Sequence, residues 1–205
     1  GIVGSNTISK DSQKASIIQA PPIVLLADSG GTNLATSPDV LTVSYRYTGS
    51  DKERGEFSLA ARQLRSADSK GDLALARRTG LDTGTFLNTP TPKFQGAALK
   101  LGDGDKARCG CVSSDDSFCV IGSEFGVYCF DPSGKRKWAI SSANATGAVS
   151  LSSNGELLIA TFSDGTIRWH RSTDGRELLA FFPHADQKRW VLWTPSGYYD
   201  CAPGA

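Results

Sequence analysis

The residues best suited to catalysis or metal binding in this chain are its five cysteines and two histidines. Cys109 and Cys111 form a C-x-C pair, and the other cysteines are scattered at Cys119, Cys129 and Cys201. Structural zinc sites use closely spaced pairs such as C-x-x-C or H-x-x-x-H, and neither spacing occurs here. The spacing therefore predicts no metal site and no cofactor. An odd number of scattered cysteines indicates free thiols in a reducing compartment.

A cysteine nucleophile needs a histidine base nearby, and Cys201 with His184 is the one late pair in the sequence. The Q-A-C-x-G signature of caspase-type sites is absent, and both residues lie in segments typical of connections. The pair does not indicate a cysteine peptidase. We predict no catalytic residue in this chain.

A glycine-rich turn at 28–33, with the sequence DSGGTN, follows an apolar run and resembles the phosphate-binding hairpin of glucokinase-type sugar kinases. The glycines would let backbone N–H groups approach a phosphate, and Asp28 would orient a metal. Such enzymes also need a second phosphate loop and a helical scaffold, whereas the rest of this chain consists mainly of short strand patterns. Sugar-kinase-like phosphotransfer is a remote alternative to a plain turn.

The composition excludes several function classes. Among 205 residues, 39% are hydrophobic and 21% are charged, with 22 basic against 21 acidic side chains. This balance gives no pull toward nucleic acid or acidic membranes, and no apolar run approaches the roughly 18 residues of a membrane-spanning helix. The chain contains no methionine, even at residue 1, so we expect a piece of a longer protein. The first twenty residues lack the apolar core of a signal peptide and are predicted to be a polar tail or linker.

Short strand patterns follow this tail. An apolar run after Pro21 and Pro22 predicts a buried strand, and the strict alternation over 40–47 predicts a half-buried one. Residues 57–64 fit either a strand or a short helix. The Thr89–Pro92 segment blocks regular structure and is a natural linker.

The second half of the chain repeats itself. Residues 111–118 align with 150–157 at an offset of 39, and the same offset superposes 126–130 on 165–169. A period near 40 with several short strands per unit is typical of a β-propeller blade. Strands are predicted at 148–151, 157–162, 166–170 and 177–182 in one blade, and at 118–123, 127–130 and 137–140 in the preceding one. The segment 189–193 would start a third blade.

Four residues are candidates for the hydrogen-bond network of a WD40-type blade. Thr161, Asp164 and Trp169 would supply three members, and Gly165 would make the tight turn. No histidine lies just before residue 148, so the network is incomplete. Cys119 and Cys129 would lie nearly opposite each other across a hairpin, which leaves a disulfide between them open.

The stretch SNGELLIATFSDGTIRWHRSTDGRELLAFFPHADQKRWVLWTPSGYYDCAPGA resembles the last blades of WD40-type propellers in bacterial proteins that also carry a caspase-like peptidase domain. The resemblance is dense over 153–205 and weaker back to about 98. Residues 21–24 and 37–40 are also similar to the small β-sandwich attached to such propellers, although there it follows the propeller. The resemblance implies an interaction or regulatory module in bacterial signalling or defence, and no catalytic residue.

We therefore predict an all-β, non-enzymatic protein. Residues 1–20 form a tail, 21–96 a small β-sandwich-like unit, and 97–205 an incomplete WD40-like propeller of two to three blades. Closed propellers need about four or more blades. The missing blades would come from a partner protein, a second copy or another fragment.

The predicted function is protein–protein interaction in the cytoplasm, with no nucleic-acid or membrane partner. Late polar and aromatic side chains either fill the inter-blade core or anchor a partner on the rim; the candidates are His184, Asp186, Arg189, Trp193, Tyr198 and Tyr199. As an alternative, the chain would be a substrate or inhibitor of a caspase-like protease, cut near Lys70–Arg78 or Thr89–Pro92.

Overall fold

The computed structural model describes residues 34–46, 54–67, 73–82, 88–184 and 186–203. Within these residues the protein is all-β, with antiparallel sheets and no helix. The all-β class predicted from the sequence is therefore confirmed. The described segments contain no helix long and apolar enough to cross a membrane. The predicted tail and the 28–33 turn lie outside the described residues.

The first sheet has five strands in the spatial order β4-β3-β2-β1-β5. Its strands are β1 (Leu34–Thr36), β2 (Thr42–Arg46), β3 (Arg54–Ser58), β4 (Gln63–Ser66) and β5 (Ala74–Leu75). The strand predicted for 40–47 is observed over 42–46, with Val43 and Tyr45 fully buried as expected. The predicted alternation does not hold for Val40, which precedes the strand and is buried in the same core. Residues 57–64, which fitted a strand or a helix, instead end one strand, turn, and begin the next.

A short hairpin covers one face of the second sheet. It consists of β6 (Lys93–Phe94) and β7 (Ala97–Ala98), and the predicted boundary at residue 97 falls inside it. Phe94, Leu99 and Leu101 are buried against that sheet, which explains why the segment does not act as a free connection. The segment Thr89–Pro92, which the sequence predicted to be a linker, is hydrogen-bonded to the second sheet. The carbonyl of Thr89 accepts a 2.9 Å hydrogen bond from the N–H of Ala107.

The second sheet is a four-stranded antiparallel meander, of which the sequence predicted the last three strands. Its strands are β8 (Ala107–Val112), β9 (Cys119–Ser123), β10 (Gly126–Phe130) and β11 (Arg136–Ser141). Cys119 lies opposite Phe130, and Cys129 lies opposite Val120. The two thiols therefore enter different core clusters on opposite faces of the sheet, and both are free. The disulfide left open by the sequence is not formed.

The third sheet has six strands in sequence order. They are β12 (Thr146–Leu151), β13 (Leu157–Phe162), β14 (Ile167–Arg171), β15 (Glu177–Pro183), β16 (Trp190–Trp193) and β17 (Tyr199–Cys201). The first four match the predicted blade. The prediction that 189–193 starts a third blade is wrong, because β16 pairs antiparallel with β15 and extends the same sheet.

The tight turns of this sheet use glycine as predicted, but with a different geometry at 154–155. Gly155 has a φ of 72°, whereas Asn154 is not among the residues with positive φ. Ser152 closes the turn by accepting a 3.0 Å bond from the N–H of Leu157 through its side chain. The loop is therefore a longer turn with one left-handed glycine, and not the two-residue turn with positive φ at both central positions.

The three sheets stack on one another. A core of Cys111, Val120 and Val127 with Val149 and Leu158 joins the four-stranded sheet to the six-stranded sheet. On the other side, the six-stranded sheet packs against the five-stranded sheet. That core is formed by Val43, Tyr45, Phe57, Ile159, Trp169, Phe181 and Trp190, with smaller neighbours.

Within the described residues, the predicted N-terminal β-sandwich-like unit contributes the five-stranded sheet and the first strand of the short hairpin. The layer that faces the five-stranded sheet comes from the C-terminal part of the chain, through stacked contacts such as Phe57 on Phe181, with ring centroids 4.2 Å apart. A sheet with one apolar face must bury that face against another element. Here the six-stranded sheet supplies the cover, so the two regions share one core.

Candidate interaction site

Four of the five cysteines are buried and are therefore poor nucleophiles, whereas Cys201 is partly exposed. Cys109, Cys111, Cys119 and Cys129 are buried, and burial raises the pKa of the Cys109 and Cys129 thiols to about 12 because it disfavours the charged thiolate. Cys201 is partly exposed and lies on β17 opposite Val191. In the described part of the chain, no cluster of three or more His, Cys, Asp or Glu side chains is arranged to hold a metal ion.

The predicted residues His184, Asp186 and Arg189 come together in the loop between β15 and β16. The Asp186 carboxylate accepts bonds from the backbone N–H of Arg189 at 2.9 Å and from its Nε at 2.5 Å. His184 Nδ1 lies 3.3 Å from the same carboxylate. The bond from the backbone N–H of Arg189 holds the pKa of Asp186 below its usual range. These contacts close the hairpin, so the first role of the three residues is to fix this loop.

The predicted aromatic residues divide between core and surface. Trp190 is buried in the core shared with the five-stranded sheet. Tyr198 and Tyr199 are 77% and 78% exposed, and Trp193, which is half-buried, lies directly opposite Tyr199 on the neighbouring strand. Trp193, Tyr198 and Tyr199 all line one cleft at this end of the sheet, and we call these three residues the hairpin aromatic surface.

This surface lies where the six-stranded sheet extends past its neighbour. Strand register places Val191, Trp193, Tyr199 and Cys201 on one face of the sheet. On the same face of the sheet, β13 contributes Ala160 to the core that packs against the four-stranded sheet. Among the described residues, that core takes nothing from β16 or β17. The outer two strands thus present an apolar face without a covering layer from the four-stranded sheet.

A cleft of about 220 Å³ adjoins the hairpin aromatic surface. Its floor is apolar, with Leu59, Leu179 and Leu192 beside the aromatic side chains. Its single ion pair joins Arg62 to Asp200 at 3.1 Å, and both side chains are substantially exposed. The cleft is therefore nearly neutral and suited to an apolar side chain with a polar neighbour.

The four candidate blade residues do not form one network. Thr161 accepts a bond from the N–H of Ala148, while Asp164 binds Thr166, Arg168 and Asn144. Trp169 donates instead to the carbonyl of Val40, which lies in the connection between β1 and β2 of the five-stranded sheet. The predicted network is therefore wrong as a unit, since the indole reaches the neighbouring sheet and not its own blade.

Sequence reasoning missed the most densely bonded carboxylate, that of Asp105. It is 1% exposed and accepts bonds from the Ser123 hydroxyl at 2.7 Å and the Tyr128 hydroxyl at 2.8 Å. Three backbone N–H groups, those of Lys106, Glu124 and Phe125, complete the set. Asp105 fixes the covering segment to the four-stranded sheet. The only local signal is an aspartate between glycine and a strand, which is common in loops.

Comparison of the sequence with models of known protein families and with curated proteins gives no match to either.

Proposed function

We propose that this protein is a non-catalytic interaction module that binds a partner protein through the hairpin aromatic surface. The observation that carries the proposal is the exposure of Tyr198 and Tyr199, which are 77% and 78% accessible beside a half-buried Trp193. Exposing large aromatic groups to water is unfavourable, and Trp and Tyr are enriched among the residues that dominate binding energy at protein interfaces.

The rigidity of the support strengthens this proposal. The β16–β17 turn is closed by the 2.8 Å bond from the N–H of Thr194 to the carbonyl of Tyr198. On the other face of the hairpin, Trp190 packs edge-on against Phe57, with ring centroids 5.1 Å apart. A surface held in place before binding loses little conformational entropy on association.

The resemblance of residues 153–205 to WD40-type propellers suggests the setting of this interaction. On that basis we propose that the chain belongs to a cytoplasmic protein of bacterial signalling or defence, and that its partner is a caspase-like protease or a protein acting with one. The free thiols are consistent with a reducing compartment.

The proposal is tested with paired baits. The wild-type chain and a Tyr198→Ser/Tyr199→Ser variant are immobilised, and captured proteins are quantified by mass spectrometry and re-tested as purified proteins. The control is Phe125→Ser, which removes an aromatic side chain that is 54% exposed on the four-stranded sheet.

The true partner is expected to bind the double variant at least about tenfold more weakly and the control variant normally, because hot-spot aromatics contribute about 2 kcal/mol or more. Equal affinity of a purified partner for wild type and double variant would remove the hairpin aromatic surface from the interface.

A further inference from the structure

We infer that β17 accepts an extended segment of the partner protein as a seventh strand of the six-stranded sheet. The inference rests on the proposed interaction function and names its binding mode. Strand addition uses main-chain hydrogen bonds for affinity and alternating side chains for specificity. Strand β17 offers both outward-facing main-chain groups and alternating side chains.

The hydrogen-bond pattern fixes which main-chain groups of β17 face outward. The N–H of Thr194 bonds to the carbonyl of Tyr198, and the N–H of Ala202 bonds to the carbonyl of Trp190. Hydrogen-bonded positions alternate along an antiparallel pair, so Asp200 also bonds toward β16. The main-chain groups of Tyr199 and Cys201 therefore point away from β16. In the described part of the chain, no strand pairs with that side of β17.

Two other edge strands, β11 and β4, carry basic side chains. Strand β11 has Arg136 and Lys137 together with an irregular register beside Phe130, and β4 has Arg65, which pairs with Glu56. Charges and bulges on an edge strand discourage pairing with another chain. The charge of β17, on Asp200, is neutralised by Arg62. Of these three edges, β17 is the one that has no basic residue and carries an exposed aromatic side chain, Tyr199, which suits it best to accept a strand.

The side chains around β17 define the partner segment. On one face, Tyr199 and Cys201 continue the apolar row of Trp193 and Val191. On the other face, Asp200 lies beside Arg62. Residues opposite Tyr199 and Cys201 are therefore apolar in the partner, and the residue opposite Asp200 is neutral or basic.

Charge argues against a second copy of this chain as the occupant. Suppose that two copies of β17 pair antiparallel and that the outward main-chain groups of Tyr199 and Cys201 are all hydrogen-bonded. Tyr199 of each copy then lies opposite Cys201 of the other. In that register Asp200 faces Asp200 of the copy as a non-hydrogen-bonded pair, with Cα atoms about 4.5 Å apart. Like charges directly opposite each other destabilise a sheet. A partner segment with lysine or threonine at that position avoids the repulsion.

Asp200 also caps the edge when no partner is bound. Its Oδ1 accepts a 2.9 Å bond from the N–H of Cys201, one of the outward-facing donors. An added strand replaces this acceptor with a main-chain carbonyl. The carboxylate stays satisfied through Arg62, so the exchange leaves no group unpaired.

The test uses the ¹⁵N-labelled chain and the synthetic peptide acetyl-Val-Thr-Val-Lys-Val-Thr-Val-amide, followed by amide NMR and hydrogen exchange. At saturation, exchange of the Tyr199 and Cys201 amides is expected to slow at least about tenfold, because they gain main-chain acceptors. The amides of Asp200 and Ala202 already bond to β16 and are expected to change little. This alternation distinguishes strand addition from docking on side chains alone.

Matched peptides and variants sharpen the test. N-methylation of the valine amides, which face β17, is expected to abolish binding, whereas N-methylation of the threonine and lysine amides leaves it intact. A glutamate in place of the lysine is expected to weaken binding. In the protein, Cys201→Pro removes one outward N–H without breaking a bond to β16, and Cys201→Ala keeps it. We expect at least about tenfold weaker binding by the proline variant only.

Three results would overturn strand addition: no peptide binding, equal binding of both N-methylated peptides, or uniform protection along β17. If a purified partner still depends on Tyr198 and Tyr199, the proposed function survives that failure. Conversely, peptide binding without any aromatic-dependent partner would contradict the proposed function alone. A dimer of the free chain that dissociates on Cys201→Pro would replace the partner segment by a second copy.

Discussion

The indole Nε1 of Trp169 donates a 2.8 Å hydrogen bond to the carbonyl oxygen of Val40, which lies 129 positions earlier in the chain. Val40 is fully buried and has a φ of 54°, an uncommon conformation for a β-branched residue. Such a conformation persists when surrounding contacts determine it. Two further bonds, from Ser153 to Pro38 and between Thr36 and Ser150, join the same two sheets.

Replacing Trp169 by phenylalanine is expected to lower the free energy of unfolding by about 1–3 kcal/mol. The aromatic volume is largely kept, but the buried carbonyl of Val40 loses its donor. Urea unfolding of the purified variant measures the change. Trp193→Phe is the control, because Trp193 is only half-buried at the surface. A loss for Trp169→Phe no larger than that of the control would show that the bond contributes little.

The stability of the protein is expected to fall as the pH drops below about 6.5, the unfolded-state pKa of histidine. His170 is 2% exposed, and its Nδ1 bonds to the carbonyl of Gly175 at 3.1 Å. Its Nε2 has no hydrogen-bond partner among the described residues. Burial lowers the pKa of His170 in the folded state, although Glu177 opposes the shift.

Between the folded-state and unfolded-state pKa values of His170, the unfolded chain is therefore protonated at this residue and the folded chain is not. The stabilisation is fully present above the unfolded pKa and is lost as the pH falls toward the folded pKa. Urea unfolding from pH 8 to pH 5 measures the slope, which is at most about 1.4 kcal/mol per pH unit for one group. His170→Phe is expected to flatten it. An unchanged slope in His170→Phe would assign the effect to other groups.

The five thiols are expected to react in two classes. The native protein at pH 8 should give one thiol, Cys201, that reacts readily with a disulfide reagent such as DTNB. The other four are buried, and burial raises their pKa values. All five should react in denaturant. The Cys201→Ser variant should lose the fast class, and a second fast thiol in the native variant would contradict the described packing.

Asp105→Asn is expected to destabilise the fold by about 2–3 kcal/mol. The amide nitrogen would face donors that now bond to a carboxylate oxygen, including the hydroxyls of Ser123 and Tyr128. Thermal unfolding measures the loss. Asp103→Asn changes an exposed residue of the same loop and should be close to neutral. Similar melting temperatures for both variants would contradict the role given to Asp105.

The strands of the two predicted blades could be located from the sequence because their signals are local. Apolar runs such as 157–162 are bounded by turns with Gly155 and Gly165, so each strand can be recognised without its partner. The pairing of β16 could not be seen in this way. The loop at 184–189, closed by Asp186, folds β16 back on β15, and strand patterns do not record which edge a strand joins.

The candidate site was only partly predictable for the same reason. Trp190, Trp193, Tyr198 and Tyr199 are close in sequence, yet only Trp190 lies in the core. The residues differ in burial because the two neighbouring sheets cover different parts of the six-stranded sheet. The five-stranded sheet covers Trp190, while the four-stranded sheet ends before the outer strands. That difference depends on contacts between residues more than a hundred positions apart.

The core shared by the first and last described sheets also has a consequence for synthesis. Val43, Tyr45 and Phe57 emerge from the ribosome long before Ile159, Phe181 and the others that bury them. Because these contacts are distant in sequence, the nascent chain carries an uncovered apolar sheet face until translation has passed roughly residue 192. We expect the nascent chain to be most prone to aggregation, and most in need of chaperone binding, during that interval.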